Sequence, residues 1–246
     1  MLTALLDAHP LISLYYEPFN ASKKSRVPVP NGLDHFCEVM EGHFKIPLSP
    51  TARITGFKET SILPESLDWA VRTLENASRE IPTQVIWIHR NPIHCLLSKI
   101  EGARTWWGYP EACFEEKSLV GFLRETELRI AVLQDLVERY SGTIIRYESL
   151  VMEPTARLSA LMDRLGEPFF PSQLDYHSAG SHPEKVMGDP NLIENPEPVS
   201  ALRVRKRDEE EKAYRDLINE VLDRSEFHPI RAEFERLQGL PAIFDP

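Results

Sequence analysis

The chain has 246 residues, of which 42% are hydrophobic and 27% charged, enough apolar content for one large domain or two small ones. Its net charge of −10 argues against a general nucleic-acid or anionic-membrane surface, since those partners demand a basic face. Three cysteines, Cys37, Cys95 and Cys113, fit no metal spacing and read as reduced thiols of a cytoplasmic protein. No apolar run is long enough for a membrane span, and residues 1–10 lack the marks of a signal peptide.

Leu2, Leu5 and Leu6 stand at helical spacing from the outset, with no capping residue before them. Residues 11–16 and 53–58 read as β-strands, and Leu67, Ala70, Val71 and Leu74 mark an amphipathic helix. Residues 84–89 form a near-continuous apolar run, the pattern of a parallel strand buried on both faces. A helix is predicted over 93–105 and a long one over 115–140. A short strand follows over 143–146, then a helix over 155–165 stopped by Gly166, and a charged helix over 208–222. Segments 20–50 and 177–207 show no period and read as long irregular loops. Strands alternating with helices predict a single α/β domain over 1–246 with a central parallel sheet flanked by helices.

Ligands of such sheets sit at the carboxyl ends of strands. That rule singles out Glu17, Lys58, Glu59, Arg90 and Tyr147. The segment 85–92 carries the clearest signal. It runs from a strand into His89-Arg90-Asn91-Pro92, and Pro92 suits the first turn of a helix, where its missing N–H costs nothing. The free N–H groups of that turn and the planar Arg90 fork suit a phosphate or sulfate. Ser98 lies roughly two turns further on, and its hydroxyl reaches the same anion only if the anion lies along the side of the helix. Equally, Arg90 can serve a structural ion pair, with Ser98 a solvated helix residue.

The Arg-x-Pro turn followed by Ser98 resembles the 3′-phosphate motif of sulfotransferases. The stretch Ile144-Ile-Arg-Tyr-Glu-Ser-Leu-Val-Met-Glu-Pro154, leading to Leu165-Gly166-Glu-Pro-Phe169, is similar to a family segment, as is Leu5-Leu6-Asp-Ala-His-Pro10 with Glu17-Pro18-Phe19-Asn20. Gly56-Phe57-Lys58-Glu59 and Val186-Met187-Gly188-Asp189-Pro190 resemble shorter patterns, all in the family's order. The resemblance implies a P-loop-NTPase-like fold and transfer of a sulfuryl group from 3′-phosphoadenosine 5′-phosphosulfate to a hydroxyl, without a metal. Arg90 and Ser98 would hold the 3′-phosphate and Tyr147 would lie near the adenine.

In-line sulfuryl transfer needs a base for the acceptor proton and charge stabilisation at the bridging oxygen. The histidine that many cytosolic members place after a Lys-Thr pair is absent, because the run here is Lys58-Glu59-Thr60. Glu17, then Glu59, are the favoured bases, with His35 and His43 further candidates and Lys58 the charge-neutralising residue. Segment 20–50 is the expected acceptor loop, for a small-molecule or glycan hydroxyl, and 177–207 the expected donor-covering loop. The basic cluster at 203–207 reads either as part of that loop or as a solvated helix start. By the resemblance, the first strand and phosphate loop of the family would lie before Met1, so this exact chain is expected to transfer little or no sulfate. A small-molecule kinase of P-loop type and a non-catalytic adenosine 3′,5′-bisphosphate binder are the alternatives.

Overall fold

The computed structural model describes residues 2–16, 30, 33–44, 51–59, 64–105, 107–175, 202–239 and 243–244. They form a mixed α/β protein, mostly helical with small parallel sheets, in two compact units. The first unit comprises Met1–Thr83 and Pro168–Pro198, and the second Gln84–Glu167 and Val199–Pro246.

In the first unit, helix α1 (Leu2–Asp7) leads into β1 (Ile12–Tyr16). Helix α2 (Leu33–Phe44), β2 (Ile54–Lys58) and α3 (Pro64–Ala77) follow. β1 and β2 pair in parallel, with Ile12 opposite Ile54 and Tyr16 opposite Lys58. Tyr15 of β1 packs with Phe36 and Met40 of α2 and Ala70 of α3, which gives the unit a small core. The α1–β1 turn is tied down by polar side chains. Leu14 N–H donates to Asp7 Oδ1 at 2.8 Å, and Leu11 N–H to His9 Nδ1 at 3.1 Å. The latter bond fixes the His9 tautomer, so Nε2–H donates to the Pro168 carbonyl at 3.0 Å. Gln173, in a 3₁₀ turn (Pro171–Asp175), donates to the Leu5 carbonyl at 3.1 Å.

The second unit is built on β3 (Ile86–His89), β4 (Thr143–Arg146) and β5 (Ile243–Phe244), with β3 parallel and β5 antiparallel to the central β4. Around them lie α4 (Pro92–Thr105), α5 (Glu116–Arg139), α6 (Tyr147–Met152) and α7 (Pro154–Leu165). Three later helices are α8 (Leu202–Ala213), α9 (Arg215–Leu222) and α10 (His228–Gly239). The core collects Trp87, the buried face of α4, Leu119, Phe122 and Leu123 of α5, Ile218 and Val221 of α9 and Phe234 of α10.

Two glycines are required by backbone geometry. A Cβ on Gly142 would stand 2.5 Å from the Val85 carbonyl oxygen and 3.0 Å from Val137 Cα, so the α5–β4 turn closes only over a bare backbone. Gly166 ends α7 in the left-handed region at φ 72°, and Glu167 N–H donates back to the Met162 carbonyl at 3.0 Å.

Four expectations are corrected. The described strands form two sheets rather than one central sheet. β3 is not buried on both faces, since Ile88 is 37% exposed while Trp87 and His89 are buried. Within 20–50 lies α2, whose Phe36 and Met40 sit one helical turn apart and face the core, while the rest of that segment, apart from Pro30, lies outside the described residues. The late charged helix begins at Leu202 and breaks at Tyr214, whose ring stacks on Phe114 at 4.3 Å. Helices α6 and α10 were not foreseen.

Candidate functional site

The parallel pairing of β3 with β4 sets the geometry. His89 is opposite Arg146, so the next residues, Arg90 and Tyr147, leave the two strands side by side. The Arg90 guanidinium lies over the Tyr147 ring, with Cζ 4.7 Å from its centroid. Arg90 is half-buried, and its Nε is enclosed without a hydrogen-bond partner. Arg90 forms no ion pair among the described residues.

Asn91 then starts α4. Its Oδ1 accepts the Ile93 N–H at 2.9 Å, which makes it an N-cap beside Pro92. The Asn91 N–H donates to Glu148 Oε1 at 2.9 Å, and its Nδ2–H donates to Glu211 Oε2 at 3.0 Å. One turn into the helix, His94 is buried, its side chain 3% exposed. Its Nε2 lies 3.0 Å from Glu211 Oε2 and 3.4 Å from Asp208 Oδ1, and its Nδ1 lies 3.9 Å from Glu148 Oε1. Nε2 makes no well-directed hydrogen bond, so these contacts are close approaches of the ring to the carboxylates. The His94 ring beside Glu211, with Asn91 and Arg215 nearby, holds that carboxyl below its usual range against the opposing effect of burial. Burial pushes the Cys95 thiol on the same helix up to about 11.

Ser98 is half-buried on α4. Helical spacing puts it on the same face as His94 and Glu101. Both of those residues meet α8: His94 through Asp208 and Glu211, Glu101 through Arg207 and through Lys206 at 3.0 Å. Burial works against ionisation of Glu101, but the bonds from Lys206 and Arg207 outweigh it and hold its carboxyl low. Residues 203–207 are thus helical rather than loop, and the Lys206 and Arg207 charges are engaged with Glu101 and Glu210.

Of the sequence-derived residues, Arg90 and Tyr147 are in contact and Ser98 stands on the helix that Arg90 precedes. Lys58 ends β2 and Glu59 follows it, both half-buried in the first unit. Glu17 lies outside the described residues, as do the His43 side chain and residues 176–201, while His35 is exposed on α2. Sequence reasoning missed Asn91 as a cap, although Asn before a helix-starting Pro is a recognisable signal. It also missed His94, Glu148, Asp208 and Glu211, which meet only through tertiary packing. No group of residues able to hold a metal ion occurs among the described residues, and no described helix is long and apolar enough to cross a membrane.

No protein-family model matches the chain, and no curated protein matches it. Among solved structures it is similar to a sulfotransferase domain from the curacin biosynthetic pathway, at 21% identity and a TM-score of 0.46, over 63% of this chain and 55% of that one. The chain therefore matches about half the length of that domain.

Proposed function

We propose that the chain has the donor site of a sulfotransferase, for 3′-phosphoadenosine 5′-phosphosulfate with a hydroxyl acceptor, and that any turnover by this exact chain is slow. The observation that carries this reading is Arg90. It stands at the end of a parallel strand, stacked on Tyr147, with a buried Nε and no ion-pair partner among the described residues. An arginine retained for a structural ion pair would have found a carboxylate. One held by an aromatic face, with its fork uncommitted, is suited to an external anion.

In this reading Arg90 and Ser98 bind the 3′-phosphate and Tyr147 supports the adenine. The donor supplies a sulfuryl group whose bond to a phosphate oxygen breaks as the acceptor oxygen bonds to sulfur. Glu17 or Glu59 takes the acceptor proton, and Lys58 neutralises charge on the bridging oxygen as it leaves. Positioning and electrostatics carry most of the rate, as in phosphoryl transfer.

The test is ligand-linked stability. Adenosine 3′,5′-bisphosphate at ~100 times its Kd should stabilise the protein by about 2.7 kcal/mol. Arg90→Ala should lose that stabilisation. Absence of any shift in both proteins rejects the site. Transfer of label from the sulfate of the donor to a hydroxyl, with no magnesium requirement, separates a sulfotransferase from a kinase. Equal affinity for the bisphosphate and the full donor, without turnover, would identify a binding protein instead.

A further inference from the structure

The proposed 3′-phosphate face of α4 is not vacant of negative charge. Glu148 accepts the Asn91 N–H, and Glu211 accepts the Asn91 side-chain amide and stands at the His94 ring, with Asp208 beside it. Two of these three carboxylates belong to α8. That helix engages α4 at both ends of the face that carries Ser98, at His94 through its acidic half and at Glu101 through its basic half.

α8 is held to its neighbours largely by charge. Of its residues from Val204 to Ala213, only Val204 and Arg207 are buried. α9, directly after it, is anchored differently, with Ile218 and Val221 in the core. Between the two helices the chain breaks at Tyr214, which is pinned by its stack on Phe114. An ionically docked helix is thereby joined to an apolar, fixed one through an anchored break, and its departure would expose Val204 but no member of the main core cluster.

We infer that α8 is a self-inhibitory element, whose Asp208 and Glu211 carboxylates compete with the donor's 3′-phosphate for the Asn91–His94–Ser98 face of α4. The inference rests on the assignment of Arg90 and Ser98 to that phosphate. A phosphate dianion on this face would stand against Asp208, Glu210 and Glu211, so α8 must move away for tight binding. The linkage is reciprocal: whatever undocks α8 strengthens phosphate binding, and phosphate binding undocks α8.

The experiment combines calorimetry with amide hydrogen exchange on the whole chain, with adenosine 3′,5′-bisphosphate as probe. The double variant Asp208→Asn, Glu211→Gln should bind the bisphosphate about tenfold more tightly than the wild type. In the wild type, saturating bisphosphate should speed exchange over 202–213, and adenosine 5′-phosphate, which lacks the 3′-phosphate, should not. Arg90-dependent binding with an unchanged Kd in the double variant, and slowed or unchanged exchange in α8, overturns the inference and leaves the site standing. No binding by either protein defeats the site itself, and the inference with it. Should the double variant fail to fold, the wild-type exchange comparison alone decides.

Discussion

His89 shows how a single side chain ties this fold to pH. It is buried beneath Trp87, and burial, with the nearby Arg146, lowers its pKa to about 4. In the unfolded chain a histidine takes up its proton near pH ~6.5. Between those values the unfolded state binds more protons, so stability falls as the pH drops from about 6.5 through 4. The full loss is on the order of 3 kcal/mol. Urea titrations at pH 7 and pH 4.5 should show it, and His89→Gln should flatten the difference. Tyr147 offers a second residue-scale check. Tyr147→Leu removes the ring under Arg90 and should weaken bisphosphate binding about tenfold, whereas Tyr147→Phe keeps the ring and should bind like the wild type. Arg90 and Tyr147 were legible in the sequence because position after a strand is a local signal. His94 was not, because its partners Glu148, Asp208 and Glu211 come from two other helices.

At the scale of elements, the tightest joint is the α5–β4 turn. Gly142→Ala forces a Cβ against the Val85 carbonyl and the Val137 backbone, neither of which is a movable side-chain end. It should cost about 2–3 kcal/mol, read as a lowered urea midpoint with an unchanged m-value. Gly121, inside α5, has open space around its Cβ position, so Gly121→Ala should instead stabilise by roughly 0.5–1 kcal/mol. Most elements were legible from hydrophobic period: β1, β2, β4, α3, α4, α5 and α7 lie within a few residues of their predicted spans. The extended start of α8 was not, because its Arg, Lys and Glu residues are good helix formers that leave no apolar stripe to find. α2 was obscured by Gly42 and by the prolines on either side, although Phe36 and Met40 carried its helical spacing.

At the scale of the whole molecule, the order of strands and helices foretold a mixed α/β protein, and that much holds. It did not foretell which strands pair. A hydrophobic run says that a segment is extended and buried, but its partner is chosen by tertiary packing. The pairs β1–β2 and β3–β4 are therefore findings of the structure. The charge of the chain bears on ligand capture. A net charge of −10 surrounds the proposed binding face, where Arg90 forms no ion pair among the described residues, so long-range forces would oppose an incoming bisphosphate. Raising salt from about 20 to 200 mM should therefore increase the association rate measured by stopped flow, the reverse of a basic pocket.

The cysteines supply a chemical clock for these motions. Cys113 is exposed, whereas the Cys95 thiol packs against the core on α4, next to His94, and is held protonated well above neutral pH. An alkylating reagent meets the exposed Cys113 directly and the half-buried Cys95 faster when α4 loosens. The lag between the two modifications then reports the opening of that helix in the native protein, with no residue substituted.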